Sequence, residues 1–430
     1  MLFLSEGSSD REITEERAAV LVDQLLDALR QRRPLRRVLV IPPDFTRAHS
    51  GAGPLTCHVY RRLEKEADVV ILPATGTHFP LDDTEREAMF PGIPPERFRA
   101  HDWRGGVVTL GQVPAGVVAE LSEGRVCLPA QVQVDRLLVE PYWDAILSIG
   151  QLVPHEVIGI ANHVKNVLVG TGGPDLIHKS HWLGAVYGME RIMGQARTPV
   201  RALLNWAAER FLAHLPITYL LTVRARARDG RLVTRGLYAG DDDACYEQGA
   251  ALCRAVNLDV LDRAPSKVVV FLDPQEFKST WLGNKAVYRT RMAIADGGEL
   301  VILAPGVRQF GEDPAIDALI RRFGYRGTPA TVAAVASHPD LADNLSAAAH
   351  LIHGSSEGRF RITYCPGQMT RDEIESVGYA YGDLPAMLRH YPPDRLRDGW
   401  NQHEGEDVYF VSNPALGLWG TAERFGGSCG

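Results

Sequence analysis

Three observations predict that this chain folds as two α/β domains. Short apolar strands alternate with amphipathic helical segments, which is the pattern of parallel sheets covered by helices. The strand and helix pattern starts afresh after Pro265. The chain has 430 residues, which exceeds the usual size of one domain. We expect a first α/β domain over 1–264 and a second over 265–409, with the tail 410–430 returning to the first domain and the active site in the interdomain cleft.

The composition is typical of a soluble globular protein and excludes several classes of partner. The formal net charge of -7 disfavours nucleic acid, because such partners are normally met by a basic surface. The acidic N-terminus does not resemble a signal peptide, and no apolar run approaches the roughly 20 residues that span a bilayer. The six cysteines form no CxxC pair, which disfavours a thiolate zinc site and a disulfide framework. We expect a cytoplasmic protein without a membrane partner.

Polar side chains follow the first two predicted strands. A helix is predicted over 13–30, and then the strand RVLVI (37–41) leads to Asp44, Thr46 and Arg47. Ligands in open α/β sheets bind at the carboxyl ends of strands, so these side chains are candidates for anion or ribose contacts. The alternative is a capped helix start, with Thr46 or Ser50 as the cap.

The second strand, DVVILPA (68–74), ends in the same way. It leads to the turn ATGTHFP, which places His78 at a strand end. A single loop histidine is usually structural. Two successive strand ends with such polar residues nevertheless favour a functional site at this edge.

The segment 150–182 contains four histidines and Lys165 between glycine-rich turns. The preceding strand, DAILSIG, delivers His155 to another strand end. His178 and His181 are three residues apart, so on a helix they can share a metal. Lys165 stands among apolar residues, where a lysine needs a charge partner or a chemical role such as a covalent bond. The alternative is that its amine extends to the surface.

The glycine-rich turn GTGGPD (170–175) offers a further interpretation. Backbone N–H groups at a helix start can bind a phosphate. The turn lacks the Lys-Ser/Thr of a P-loop, and the chain has no GxGxxG fingerprint.

Together these motifs resemble the nickel-dependent lactate racemase family. The resemblance rests on DFTR (44–47), TGTHFP (75–80), VPHEVIGIANHVK (153–165), HKSHW (178–182) and KAVYRTRMAIADGG (285–298), and it covers most of the chain. It implies a nickel-pincer nucleotide, which is a pyridinium mononucleotide with two sulfur arms and a ring carbon bound to nickel. It also implies cofactor biosynthesis proteins as maturation partners.

The resemblance also implies the roles of individual residues. His78 and His155 match the two acid/base histidines, Lys165 the cofactor-linking lysine, and His181 the nickel ligand. Asp44, Thr46 and Arg47 match cofactor or substrate contacts, and Lys285 matches the carboxylate-binding lysine. The implied reaction is inversion of C2 of a 2-hydroxy acid by a racemase or epimerase. Two histidines suit it, because their pKa near 6.5 lets either ring hold or release a proton at neutral pH.

The sequence departs from the family pattern at two places. Asn162 and His163 stand where the family has a glycine pair before the lysine. Trp281 and Leu282 stand where the lactate enzyme has polar groups. The second departure favours a substrate other than lactate, such as a sugar acid, malate or a larger hydroxy acid.

Two other functions stay open from the sequence. One is a metal-dependent hydrolase that uses His178 and His181. The other is a non-catalytic protein that binds the nucleotide cofactor.

Overall fold

A computed structural model describes residues 1–139, 142–227, 229–415 and 417–426. The strands are β1 (Leu2–Gly7), β2 (Arg37–Ile41), β3 (Asp68–Ile71), β4 (Val107–Val113), β5 (Ala130–Asp135), β6 (Ala145–Leu152), β7 (Pro154–His155), β8 (Gly159–Ile160), β9 (Ile217–Arg226), β10 (Leu232–Gly240), β11 (Leu258–Leu261), β12 (Lys267–Phe271), β13 (Glu299–Ala304), β14 (Arg361–Pro366), β15 (Ala380–Tyr381), β16 (Gly399–His403), β17 (Glu406–Val411) and β18 (Leu418–Thr421).

The helices are α1 (Glu15–Arg32), α2 (Ala52–Leu63), α3 (Asp83–Met89), α4 (Ala115–Leu121), α5 (Val164–Leu168), α6 (Pro174–Tyr187), α7 (Met189–Ile192), α8 (Pro199–Phe211), α9 (Asp243–Asn257), α10 (Thr280–Gly283), α11 (Lys285–Thr290), α12 (Pro314–Phe323), α13 (Thr328–Ser337), α14 (Pro339–Ala342), α15 (Leu345–His353), α16 (Arg371–Ser376) and α17 (Leu384–His390). Short 3-10 turns cover Phe45–Ser50, Pro95–Arg97 and Arg136–Leu138.

The chain forms two compact units, which confirms the predicted pair of α/β domains. The first consists of Met1–Ser180 and Gln195–Asn257, and the second of His181–Gly194 and Leu258–Gly430. The junction therefore lies before β11 rather than at the predicted 264/265. The described part of the tail belongs to the second unit rather than the first, because β17 pairs with β12 and β18 pairs with β11.

The first unit is built on a six-stranded sheet with the order β1-β10-β9-β6-β2-β3. Strand β2 pairs in parallel with β3 and β6, and β6 pairs in parallel with β9. The carboxyl ends of these strands therefore share one edge, as the sequence predicted. Strands β9 and β10 form an antiparallel hairpin. Strand β1 was not predicted, because it pairs with the distant β10 rather than with a sequence neighbour.

Helix α1 covers one face of this sheet. It starts at the cap Thr14, whose side chain accepts a hydrogen bond from the Arg17 N–H. One face of α1 carries buried aliphatic side chains at helical spacing, and they belong to the same core cluster as Val38 and Val40 of β2. Fully burying a leucine or valine contributes about 1.5–3 kcal/mol. This burial anchors the sheet whose edge carries the predicted site residues.

The second unit has its own six-stranded sheet, with the order β15-β14-β13-β12-β17-β16. All neighbouring strands are parallel except β16, which is antiparallel to β17 at one edge. Lys285 begins α11 in this unit. None of the helices in the described ranges has the length and apolar character needed to cross a membrane.

The cysteines in the described ranges are free thiols. Cys57, Cys127, Cys245, Cys253 and Cys365 are free, and among them Cys127 is exposed. Cys429 lies outside the described residues.

Candidate active site

Four residues that the sequence predicted form one hydrogen-bonded chain in the first unit. The Oδ2 atom of buried Asp44 lies 2.5 Å from Nδ1 of His78, and its Oδ1 atom accepts a hydrogen bond of 2.5 Å from the Thr46 hydroxyl. Arg47 Nη1 donates to that hydroxyl. The loops after β2 and β3 thus meet through side chains as well as through their shared sheet edge.

The charge state of Asp44 follows from this chain. Burial favours its neutral acid, but the hydrogen bond from His78 and the charges of His78 and Arg47 outweigh that effect and lower its pKa. The carboxylate can then only accept a hydrogen bond, so the proton between the two side chains lies on Nδ1 of His78. In the neutral ring, Nε2 of His78 carries the lone pair.

The loop of His78 is also tied to the segment that follows Lys165. Gly76 has a φ of +56°, a conformation that L side chains rarely adopt, and its N–H donates to the Gly170 carbonyl at 2.8 Å. The His78 side chain is half exposed, while the Asp44 side chain beneath it is 7% exposed. The ring is therefore held from the buried side and remains accessible from the other.

His155 lies in the short strand β7 after β6 and has the opposite hydrogen-bond pattern. Its Nδ1 atom accepts a hydrogen bond of 3.0 Å from the Val157 N–H, and Oε2 of Glu156 lies 3.8 Å from the same nitrogen. The neutral ring therefore carries its proton on Nε2. His78 offers a proton acceptor at Nε2, and His155 offers a donor.

Lys165 lies in α5, and the pKa of its side-chain ammonium group is lower than that of an ordinary lysine. Burial lowers its pKa to about 8, and the positive charge of Arg47 adds to this effect, while Glu156 and Asp44 oppose it. The amine therefore reaches its nucleophilic neutral form at lower pH than an exposed lysine.

The two residues that replace the family's glycine pair keep glycine-like backbone conformations. Asn162 has a φ of +69°, and His163 has a φ of +61° with a ψ of -132°. Such conformations cost on the order of 1–3 kcal/mol for non-glycine residues. The His163 ring is buried, with its centroid 3.8 Å from that of Tyr219. The Asn162 amide packs so closely on Gly150 that an added Cβ there would lie 1.9 Å from Nδ2.

Arg201 holds this segment, and sequence reasoning missed it. Its buried guanidinium donates to the carbonyls of Ile160 (2.7 Å) and Asn162 (3.1 Å). The sequence gives no signal for this role, because an arginine in an amphipathic helix such as α8 is ordinarily a surface residue. Arg201 is a positioning residue for the loop that leads into Lys165.

The glycines of the turn before α6 allow close contact with neighbouring backbone and side chains. A Cβ at Gly172 would lie 1.9 Å from the Leu168 carbonyl oxygen, and one at Gly173 would lie 2.4 Å from Gln133 Oε1. Asp175 in the first turn of α6 accepts from the Gln131 N–H at 2.6 Å, so a carboxylate already lies at this helix start. The phosphate-binding interpretation of this turn therefore loses its support.

His178, also on α6, packs against an aromatic ring. Its ring lies edge-on to that of Trp103, with 6.5 Å between the centroids, and burial lowers its pKa.

Three predicted residues lie in the second unit. His181 is partly exposed on α6, and Lys285 Nζ lies 3.8 Å from Glu276 Oε1 and 5.5 Å from the centroid of the Phe277 ring. The Trp281 ring packs on buried His350, with 4.2 Å between the centroids. Trp281 thus has a defined packing partner, where the family pattern has a polar group.

The chain is similar to known proteins both in sequence and in fold. Residues 20–192 match the lactate racemase N-terminal domain, and no curated protein matches the chain. The fold is similar to that of a Thermotoga maritima protein, with a TM-score of 0.79, 24% identity, and coverage of 96% of this chain and 99% of that chain. It is also similar to the lactate racemase apoprotein from Thermoanaerobacterium thermosaccharolyticum, with a TM-score of 0.69, 15% identity, and coverage of 97% and 94%.

The segment matched to the family contains Asp44, His78, His155 and Lys165. The family resemblance predicted from the sequence is confirmed over residues 20–192, which match the lactate racemase N-terminal domain, and the whole chain has a fold similar to that of a lactate racemase apoprotein.

Proposed function

We propose that this protein is an isomerase that inverts C2 of a 2-hydroxy acid. The observation that carries the proposal is the complementary pair of histidines at one sheet edge, with His78 bonded through Nδ1 to buried Asp44 and His155 accepting at Nδ1 from Val157. The family resemblance supplies the reaction class, and these hydrogen bonds support distinct roles for the two rings.

His78 is the general base for the substrate hydroxyl. Its Nε2 lone pair accepts the proton, and the Asp44 carboxylate stabilises the imidazolium that results. His155 starts as a donor through Nε2–H toward the substrate oxygen. Full protonation of His155 requires Nδ1 to give up the Val157 N–H, so the two acid/base histidines are not equivalent.

The chain suits the nickel-pincer nucleotide that the family implies. The Lys165 amine, with its pKa of about 8, is suited to a covalent link, and the buried Thr75 hydroxyl has no hydrogen-bond partner among the described residues. Asp44 and Thr46 would hold the nucleotide, and His181 would bind its nickel. When bound, this cofactor supplies the acceptor and donor of the C2 hydride.

Arg47 and Lys285 are the proposed partners of the substrate carboxylate. A guanidinium matches the planar carboxylate through paired hydrogen bonds, and an ammonium adds a point charge. The aromatic Trp281 in place of a polar group favours a sugar acid, malate or a larger hydroxy acid over lactate. We also propose a cytoplasmic location and maturation by cofactor biosynthesis proteins.

Metal analysis and a substrate panel test the proposal. Protein purified from cells that make the cofactor should contain nickel, with less in His181→Ala, and should exchange the C2 hydrogen of at least one chiral 2-hydroxy acid. Zinc in place of nickel would favour a hydrolase. Nickel without turnover of any acid in the panel would favour a cofactor-binding protein.

A further inference from the structure

A second group of metal-ligating side chains lies in the second unit. His390 ends α17, His403 ends β16, and Glu404 follows in the hairpin turn that leads to β17. One potential ligand atom from each of the three side chains lies within 4.8 Å of the others. The three residues come from two elements that are separate in sequence, so the fold brings them together.

The distances within this His390–His403–Glu404 group suit a tetrahedral ion. Nδ1 of His390 lies 3.0 Å from Oε2 of Glu404, and the two imidazole centroids are 5.7 Å apart. Bonds of about 2.0–2.2 Å to nitrogen and oxygen place neighbouring ligand atoms of a tetrahedral site about 3.3 Å apart. The His390 and Glu404 atoms therefore need to move little to bind one ion.

Glu404 occupies a turn position that does not favour glutamate. Glu404 and Gly405 have φ angles of +50° and +87°, which make a two-residue hairpin turn with both central residues left-handed. Asparagine, aspartate and glycine are preferred at such positions, and a glutamate there is strained. A carboxylate directed at His390 from a strained position is consistent with a use outside the turn.

The surroundings hold the group in place and leave it open to solvent. The Nε2 atom of His403 hydrogen-bonds the His390 carbonyl, and the Tyr391 ring packs edge-on against His390 with 4.2 Å between the centroids. The neighbouring Glu406 is engaged by Lys267, with Nζ 3.2 Å from Oε2. Glu406 is therefore held by Lys267 and stays outside the His390–His403–Glu404 group.

We propose that His390, His403 and Glu404 bind one divalent transition-metal ion, separate from the nickel of the proposed cofactor. Two imidazoles and one carboxylate select zinc, nickel or copper over magnesium and calcium, which prefer oxygen ligands. The ion connects the end of α17 to the hairpin and fastens the edge strand β16 of the second sheet. This assignment does not depend on the proposed racemase activity.

Calorimetric titration with zinc alone tests the site in full-length protein stripped of metal. The His181→Ala background removes the proposed nickel ligand from the measurement. One zinc ion per chain is expected, and His390→Ala and His403→Ala should each weaken binding at least about tenfold. His338→Ala, a histidine of the same unit that packs on Phe323, is the matched control and should bind as the parent does.

Glu404→Asn separates metal binding from folding. Asparagine suits the left-handed turn, so the thermal midpoint of this variant without zinc should equal or exceed that of the parent. Zinc should raise the midpoint of the parent but not that of Glu404→Asn. An absence of zinc binding in the His181→Ala background, or unchanged zinc affinity in the His390→Ala/His403→Ala double variant, would overturn the proposal.

Discussion

Nδ1 of His78 lies 2.5 Å from Oδ2 of Asp44, although the two residues follow different strands and are 34 positions apart. Asp44 is buried and His78 is half exposed, so the carboxylate fixes the ring from beneath. The pair determines which nitrogen of His78 can take a proton. It also couples the ionisation of Asp44 to the presence of the ring.

Removing the His78 ring should make the protein more sensitive to acid. Because the folded-state pKa of Asp44 is lowered, its ionised form contributes stability above its unfolded pKa, and this is lost as pH falls through the folded pKa. In His78→Ala the burial of Asp44 is no longer offset by the hydrogen bond, so its pKa rises. Urea unfolding between about pH 3 and 7 should show the loss of stability starting at higher pH.

The control is His58→Ala, which removes a ring 2.9 Å from the partly exposed Asp23. It should follow the parent curve, because Asp23 is partly exposed and keeps its ion pair with Arg62, whose Nε lies 2.9 Å from Oδ1. Superimposable curves for His78→Ala and the parent would contradict the coupling of Asp44 to His78.

Substitution by glutamine should affect His78 and His155 differently. His155→Gln retains an N–H donor toward substrate, so it should keep more activity than His155→Ala. His78→Gln offers no base and should lose at least about 100-fold in kcat, as His78→Ala does. Exchange of the C2 hydrogen, measured by mass spectrometry on the preferred acid, gives kcat and KM for each variant. Equal losses in the two glutamine variants would count against distinct roles.

Lys165 should react with amine reagents at unusually low pH. Its pKa of about 8 predicts that acetylation by acetic anhydride, followed by peptide mass spectrometry on cofactor-free protein, reaches half its maximum rate near pH 8. The exposed Lys65 is the internal reference for the reaction in the same protein. Arg47→Ala should move the Lys165 midpoint upward, because it removes a positive charge. A Lys165 profile that matches Lys65 would refute the assignment.

His163 should tolerate glycine better than alanine. Truncation to alanine loses the packing on Tyr219 and keeps the strained backbone, at a cost of about 3 kcal/mol. Glycine loses the same packing but relieves the strain, so His163→Gly should be more stable than His163→Ala by about 1 kcal/mol. Urea unfolding measures both. At Val167 in α5 the order should reverse, since glycine is about 1 kcal/mol worse than alanine inside a helix.

Local patterns were sufficient to predict much of the fold. The strands β2, β3 and β6 lie where apolar runs predicted them, because a strand buried in a parallel sheet is apolar along its whole length. Strand β1 and the location of the tail were not predictable in this way. Both depend on pairing between segments that are distant in sequence, β1 with β10 and β18 with β11.

For the site, the sequence alone determined that polar residues follow successive parallel strands and that Asp44, His78, His155 and Lys165 belong to one family pattern. Residue types and spacing carry that information, because parallel strands end at a common edge. Only the tertiary structure decided the proton positions on the rings of His78 and His155 and the lowered pKa of Lys165. It also decided the hydrogen bonds by which Arg201 holds the loop before Lys165. The same holds for the His390–His403–Glu404 group. Hydrogen-bond geometry and burial depend on distances across the fold, and spacing along the chain does not encode those distances.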